Sequence, residues 1–178
     1  MTSGPFSAAA DLILDGERGR ATLRPLGPEV CGPLARAIVT MPPWSVMGYP
    51  AAAMTRFLSS AEDGARRYVI EIGGKPAGAA SVRYPWLRGP YLELLALLPE
   101  FQNRGVGATL LAWFEREALR DEARNLWVCA SRLNTRGLRF YGRHGFEEAA
   151  TLHDLLADGF DEILLRKFLL GPRLGPRD

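Results

Sequence analysis

The feature that most constrains this 178-residue chain is one heptad, Gln102-Asn103-Arg104-Gly105-Val106-Gly107-Ala108. Before it runs an apolar segment, Tyr91 to Leu98, closed by Pro99. After it, from Val106 to Ala123, Leu110, Phe114 and Ala118 fall at four-residue spacing, and Leu111 widens the stripe. The first segment reads as a central strand covered on both faces, the second as an amphipathic helix. The start of a helix presents unpaired N–H groups and the positive end of its dipole, and glycines there let an anion approach the backbone closely. Successive N–H groups of this kind cradle phosphate, so the heptad predicts a phosphate or pyrophosphate site. A Walker-type loop requires Gly-Lys-Ser/Thr, and this loop has no lysine. A dinucleotide-binding loop requires a third glycine, where this chain has Leu110.

The remaining segments predict an α/β domain with a mixed central sheet. Strands are expected at 21–26, 67–72, 76–84, 91–98, 125–131, 146–152 and 162–168, with a further short one at Leu12 to Leu14 in an N-terminal arm (residues 1–20). Helices are expected over 28–38, 50–59, 106–123 and from Asn134 to about His144, with Gly145 as its stop. Gly73-Gly74 marks a hairpin and Pro42-Pro43 a break. Residues 21–170 form one domain and 171–178 a tail; the length suits a single core.

Charge is divided along the chain. Residues 1–101 are net +1, residues 102–143 carry eight Arg against four acids, and residues 144–178 are net −3. A total of +2 argues against nucleic acid as a partner. Two His and two Cys argue against a protein-only metal site, and no apolar run reaches membrane-spanning length. The N-terminus lacks the basic region of a secretory signal, so a cytoplasmic location is expected.

A second motif follows the heptad. Asn134-Thr135-Arg136-Gly137-Leu138-Arg139-Phe140-Tyr141-Gly142-Arg143-His144-Gly145-Phe146 resembles the signature Asn-x-x-Ala-x-x-Phe-Tyr-x-x-x-Gly-Phe of the GNAT superfamily, the acyl-CoA-dependent N-acyltransferases, with Gly137 in the alanine position. The heptad resembles that superfamily's pyrophosphate loop, Gln/Arg-x-x-Gly-x-Gly/Ala. The two motifs stand in the usual order and separation. The resemblance spans roughly residues 21–168.

It implies a GNAT fold: a mixed, mostly antiparallel sheet of about 6–7 strands, flanked by about four helices, with a V-shaped splay between the fourth and fifth strands. It implies acetyl-CoA as cosubstrate, with no metal. Leu97 and Leu98 would offer backbone groups to the pantetheine arm. Gln102, Asn103, Arg104, Gly105, Val106, Gly107 and Ala108 would hold the pyrophosphate, Asn134 would reach the cofactor, and an Arg of the +4 segment would face the ribose phosphate.

From spacing alone Tyr141 reads equally as a core tyrosine. The resemblance implies that it contacts the cofactor and protonates the departing CoA thiolate, a role its ordinary pKa near 10 suits. An alkylammonium with a pKa near 10.4 must lose a proton before it attacks, and Glu93 is the sequence candidate for that base. One branch, the ribosomal-protein N-terminal acetyltransferases, places a glutamate where this chain has Cys129. Trp44, Tyr49 and Tyr84 are candidate acceptor contacts, with His153 and Asp154 as further ones. The expected activity is transfer of an acetyl group to a primary amine of a small molecule or protein, by direct attack in a ternary complex, with a small-molecule or peptide amine as partner and homodimerisation open. An acyl-CoA-binding regulatory protein without turnover is the alternative.

Overall fold

The computed structural model describes residues 4–7, 9–13 and 20–169. The expected tail at 171–178 lies outside the described residues. Eight strands form one sheet in the order β1-β2-β3-β4-β5-β6-β8-β7. They are β1 (Ala10–Ile13), β2 (Arg20–Pro25), β3 (Ala65–Ile72), β4 (Lys75–Trp86), β5 (Gly89–Leu97), β6 (Asn125–Ser131), β7 (Glu147–Leu152) and β8 (Glu162–Phe168). All neighbours are antiparallel except β5 and β6. Helices α1 (Pro28–Ile38) and α2 (Ala51–Ser59) pack on one face, α3 (Val106–Arg120) and α4 (Thr135–Arg143) on the other.

Among the described residues the sheet has eight strands, slightly more than the about 6–7 expected. The addition is β1, shifted from the expected Leu12 to Leu14, which pairs with β2 from Ala10↔Leu23 to Ile13↔Arg20. The stretch expected to be an arm therefore belongs partly to the fold. Phe6 is 1% exposed and meets Trp113 edge-on at 5.5 Å and Phe114 at 5.7 Å. A short polar-flanked segment carries no periodic signal; only the cavity it fills gives it a place.

The α3 stripe is as the spacing predicts. Leu110, Phe114 and Ala118 are fully buried, joined by Val106, Leu111 and Trp113. Asn134 caps α4, its Oδ1 accepting from the Gly137 N–H at 2.9 Å. A Cβ at Gly137 would lie 2.5 Å from the Asn134 side chain, so an alanine there would make that side chain shift. Gly145 follows the helix at φ 83°, in the left-handed region.

Two irregularities position the site. β5 and β6 pair only at Tyr91↔Trp127 and Leu92↔Val128, and then separate. Their closed end is pinned by the Trp127 indole, which donates to the Leu87 carbonyl at 3.1 Å. Gly89 packs there so closely that a Cβ would fall 1.9 Å from the Asn125 carbonyl oxygen. At the parting point β5 carries an extra residue. Val82 pairs with Leu92 and Ser81 with Leu94, so Glu93 is bulged out of the ladder. A bulge bends its strand and re-aims the side chains that follow. Leu92, Leu95 and Leu97 consequently share the α3 core, while Leu94 and Ala96 join the α1–α2 core.

Candidate active site

The gap between β5 and β6 opens into two cavities. The larger, about 500 Å³, runs along the far end of β5, the 102–108 loop and α4. The smaller, about 130 Å³, lies nearer the closed end, between β5, β6 and the loop that follows β7. Leu95, Asn134, Tyr141, Pro43 and Trp44 belong to both walls.

The backbone of β5 faces the larger cavity for a reason of ladder alternation. The Leu98 N–H donates to the Ala77 carbonyl at 2.9 Å, which makes Gly78↔Leu97 a non-hydrogen-bonded pair. The Leu97 N–H and C=O thus point away from β4, toward the gap. An extended ligand can add at the Leu97 N–H in the manner of a missing strand, the Leu97 carbonyl already accepting from Gln102 Nε2. Leu98 does not share this role. Its N–H is taken by Ala77, its carbonyl accepts from the Phe101 N–H at 2.9 Å, and it packs with the α1–α2 core outside the cavity wall. This corrects the expectation for Leu98, and the cause is the same alternation.

The loop wraps the start of α3. Asn103 (φ 60°) and Gly105 (φ 83°) are left-handed, Gly105 is the N-cap, and among the described residues no side chain caps the helix. The first-turn N–H groups are left for a ligand. Gly107 packs against α4: a Cβ there would be 3.1 Å from the Phe140 ring, which would have to shift slightly. Gln102, Asn103, Gly105, Val106, Gly107 and Ala108 all line the cavity. Gln102 ties the parts together: its Nε2 donates to the Leu97 carbonyl at 2.8 Å, and its Oε1 accepts from Arg136 at 3.0 Å. Arg136 also donates to Asn103 Oδ1 at 2.6 Å.

Arg104 is outside the wall, its guanidinium 5.6 Å from the Phe101 ring centroid. The arginines that do line the cavity are Arg136 and Arg143, one helix away. Both belong to the +4 segment, so the charge division carried the signal, but only the docking of α4 selects which cations face the ligand.

Tyr141 is 7% exposed and stacks edge-on against Phe140 at 5.2 Å and Phe146 at 5.8 Å. Burial, with the neighbouring Cys129, pushes its phenol above the ordinary range. It therefore holds its proton at neutral pH.

Glu93 lies in the wall of the smaller cavity, but both its oxygens are engaged. Oε2 accepts from the Ser81 hydroxyl at 2.7 Å and Oε1 from Arg83 Nε at 2.6 Å. Arg83 in turn pairs with Glu62 at 2.7 Å.

Sequence reasoning missed Glu162. It sits at the start of β8 opposite Ser131, is 4% exposed, lines the smaller cavity, and its Oε1 has no partner among the described residues. Burial raises its carboxyl to about 7, partly offset by a hydrogen bond from Ser131. The β8 sequence gave no reason to single it out, because only register places residue 162 in a cavity built mainly by residues far earlier in the chain.

Of the expected acceptor contacts, Trp44 lines both cavities. Tyr49 and Tyr84 line neither. Tyr49 packs against the α1–α2 core. Strand alternation turns Tyr84 to the α3 face, where its hydroxyl meets Asp121 and its ring lies 5.8 Å from Phe6. His153 is held by Asp161 at 2.8 Å, and neither it nor Asp154 lines a cavity; Leu155 and Leu156 from the same loop do. Among the described residues no group of three His, Cys, Asp or Glu side chains is placed to hold a metal, and no helix is long and apolar enough to cross a membrane.

A parallel strand pair that parts after two residue pairs thus stands beside a glycine-rich loop at the start of α3. Residues 36–146 match the Acetyltransferase (GNAT) family, and the chain belongs to that family. Solved structures share the fold. RimJ of Mycobacterium smegmatis in complex with CoA-disulfide superposes with TM-score 0.68 at 16% identity, over 93% of this chain and 90% of that one. The ribosomal-protein-S18-alanine N-acetyltransferase from Escherichia coli gives 0.66 at 19% identity, over 87% and 99%. A GNAT family acetyltransferase from Elizabethkingia anophelis with acetyl-CoA bound gives 0.61 at 18% identity, over 84% and 98%. No curated protein matches the sequence.

Proposed function

We propose that this protein transfers the acetyl group of acetyl-CoA to a primary amine, by direct attack within a ternary complex. The observation that carries this reading is the place of Tyr141: a buried phenol, its proton retained, in the wall common to two cavities. The larger cavity fits acetyl-CoA. Leu97 offers strand-edge backbone to the pantetheine amides, and Gln102, Asn103 and the N–H groups from Gly105 to Ala108 face the pyrophosphate, with Arg136 and Arg143 adding positive charge. An amine in the smaller cavity then meets the thioester beside Tyr141. The phenol gives its proton to the sulfur as the C–S bond breaks.

Tyr141→Phe tests the assignment. Acetyl-CoA binding, read by calorimetry, stays within about twofold, while turnover read as free CoA thiol falls by ~10²-fold or more. Unchanged turnover removes Tyr141 from the chemistry. Acetyl-CoA binding by the wild type without turnover on any amine overturns the enzymatic reading itself.

A further inference from the structure

We propose that the smaller cavity is the acceptor subsite, that it selects a primary amine borne on a single apolar group over a polycation, and that Glu162 takes the amine's proton. This deepens the acetyl-transfer reading and rests on it. Cys129 holds the position where a related branch carries a glutamate. In this chain the carboxylate comes from the neighbouring strand. Cys129 pairs with Leu164 and Ser131 with Glu162 across the antiparallel ladder, so all four residues share one sheet face. Glu162 stands two residues farther along the sheet than Cys129, toward the open end of the gap.

Its surroundings suit a proton acceptor. The titratable groups facing it are Tyr91 and Glu93 from β5, Cys129 from β6 and Tyr141 from α4, with the Ser131 hydroxyl as its hydrogen-bond donor. None of them is cationic. The burial that raises Glu162 to about 7 makes it half-ionised near neutrality, which is where a general base works best. An ammonium entering the cavity supplies the partner that Oε1 lacks.

Selectivity follows from the same wall. Of its two carboxylates, Glu93 is neutralised by Arg83, leaving one for a single cation. The mouth is apolar: Trp44 and Met47 come from the α1–α2 connection, and Leu155 and Leu156, 52% and 47% exposed, come from the β7–β8 loop. A second ammonium placed among these four apolar side chains would lose hydration.

The proton balance closes. R–NH3+ gives one proton to the Glu162 carboxylate, and the free nitrogen bonds the acetyl carbonyl carbon. The C–S bond breaks with its electron pair on sulfur, which takes the Tyr141 proton. The second nitrogen proton restores the phenol, and Glu162 releases its own to solvent. The products are the amide, CoA thiol and one proton.

The test compares wild type, Glu162→Gln and Ser131→Ala with acetyl-CoA and three acceptors: 3-methylbutylamine, a leucyl-alanine amide and spermidine. The wild type is expected to favour either or both of the first two over spermidine by at least about tenfold in kcat/KM, which separates a free amine from a peptide α-amine. Its log kcat/KM should rise through a pH inflection that E162Q lacks. E162Q should lose ~10²-fold or more in kcat with acetyl-CoA affinity intact, and Ser131→Ala should move the inflection to higher pH. Preference for spermidine overturns the selectivity, and an E162Q enzyme that keeps both rate and inflection overturns the base. If acetyl-CoA binds and no amine is acetylated, the acetyl-transfer reading falls and takes this inference with it.

Discussion

Replacing Glu162 by glutamine gives a stability prediction independent of catalysis. A carboxyl whose pKa is raised in the folded state favours folding while protonated, and that advantage is lost as pH rises through the folded value. The relevant window runs from the unfolded value of 4.5 to about 7. Glutamine has nearly the same shape and does not titrate. The stability difference between E162Q and wild type should therefore move in favour of the variant by about 2–3 kcal/mol between about pH 5 and about pH 8.5. For a chain of this size that is about 5–10 °C in Tm. Paired denaturant titrations across this range provide the assay, and the difference between the two proteins cancels every other titrating group. Two parallel stability-versus-pH curves would refute the claim that Glu162 is buried and under-compensated.

Three further outcomes follow from other parts of the fold. Arg136→Ala removes the donor to Gln102 and Asn103 and one cation from the larger cavity; acetyl-CoA affinity should fall about tenfold, less at high salt, by calorimetry. Gly78→Ala would put a Cβ 2.0 Å from the Ala96 carbonyl oxygen, so β4 and β5 must separate beside Leu97; a loss of about 1–3 kcal/mol is expected in denaturant unfolding, with weaker acetyl-CoA binding. Phe6→Ala should cost about 3–5 kcal/mol, because Phe6 fills space between Tyr84, Trp113 and Phe114; an unchanged unfolding midpoint would mean that the N-terminal segment is dispensable.

The legible parts of this protein are those whose physics is local. The 102–108 loop, the α3 stripe and the Asn134 cap each depend on residues within about two turns of one another, and each is found where the spacing puts it. The expected strands also reappear with shifted ends, because apolar runs between turn residues have few alternatives. Composition alone located the positive charge in 102–143, close to where Arg136 and Arg143 meet the larger cavity.

Tertiary structure decided what depends on register and docking. The bulge at Glu93 and the parting of β5 from β6 open the gap; the parting was expected only through the family resemblance, and the bulge has no sequence signal, since it is a relation between strands. Glu93 and Glu162 look alike as letters. One is bound by Ser81 and Arg83, and the other has an unpaired oxygen in a buried wall, because β4 lies beside the first and the β6–β8 ladder carries the second into the cavity. Sequence determined that this chain has a glycine-rich loop at a helix start next to a buried strand. Only the packed sheet determined which arginines and which backbone edge face that loop's cavity and which carboxylate faces the smaller one, because burial and charge compensation belong to neighbours in space.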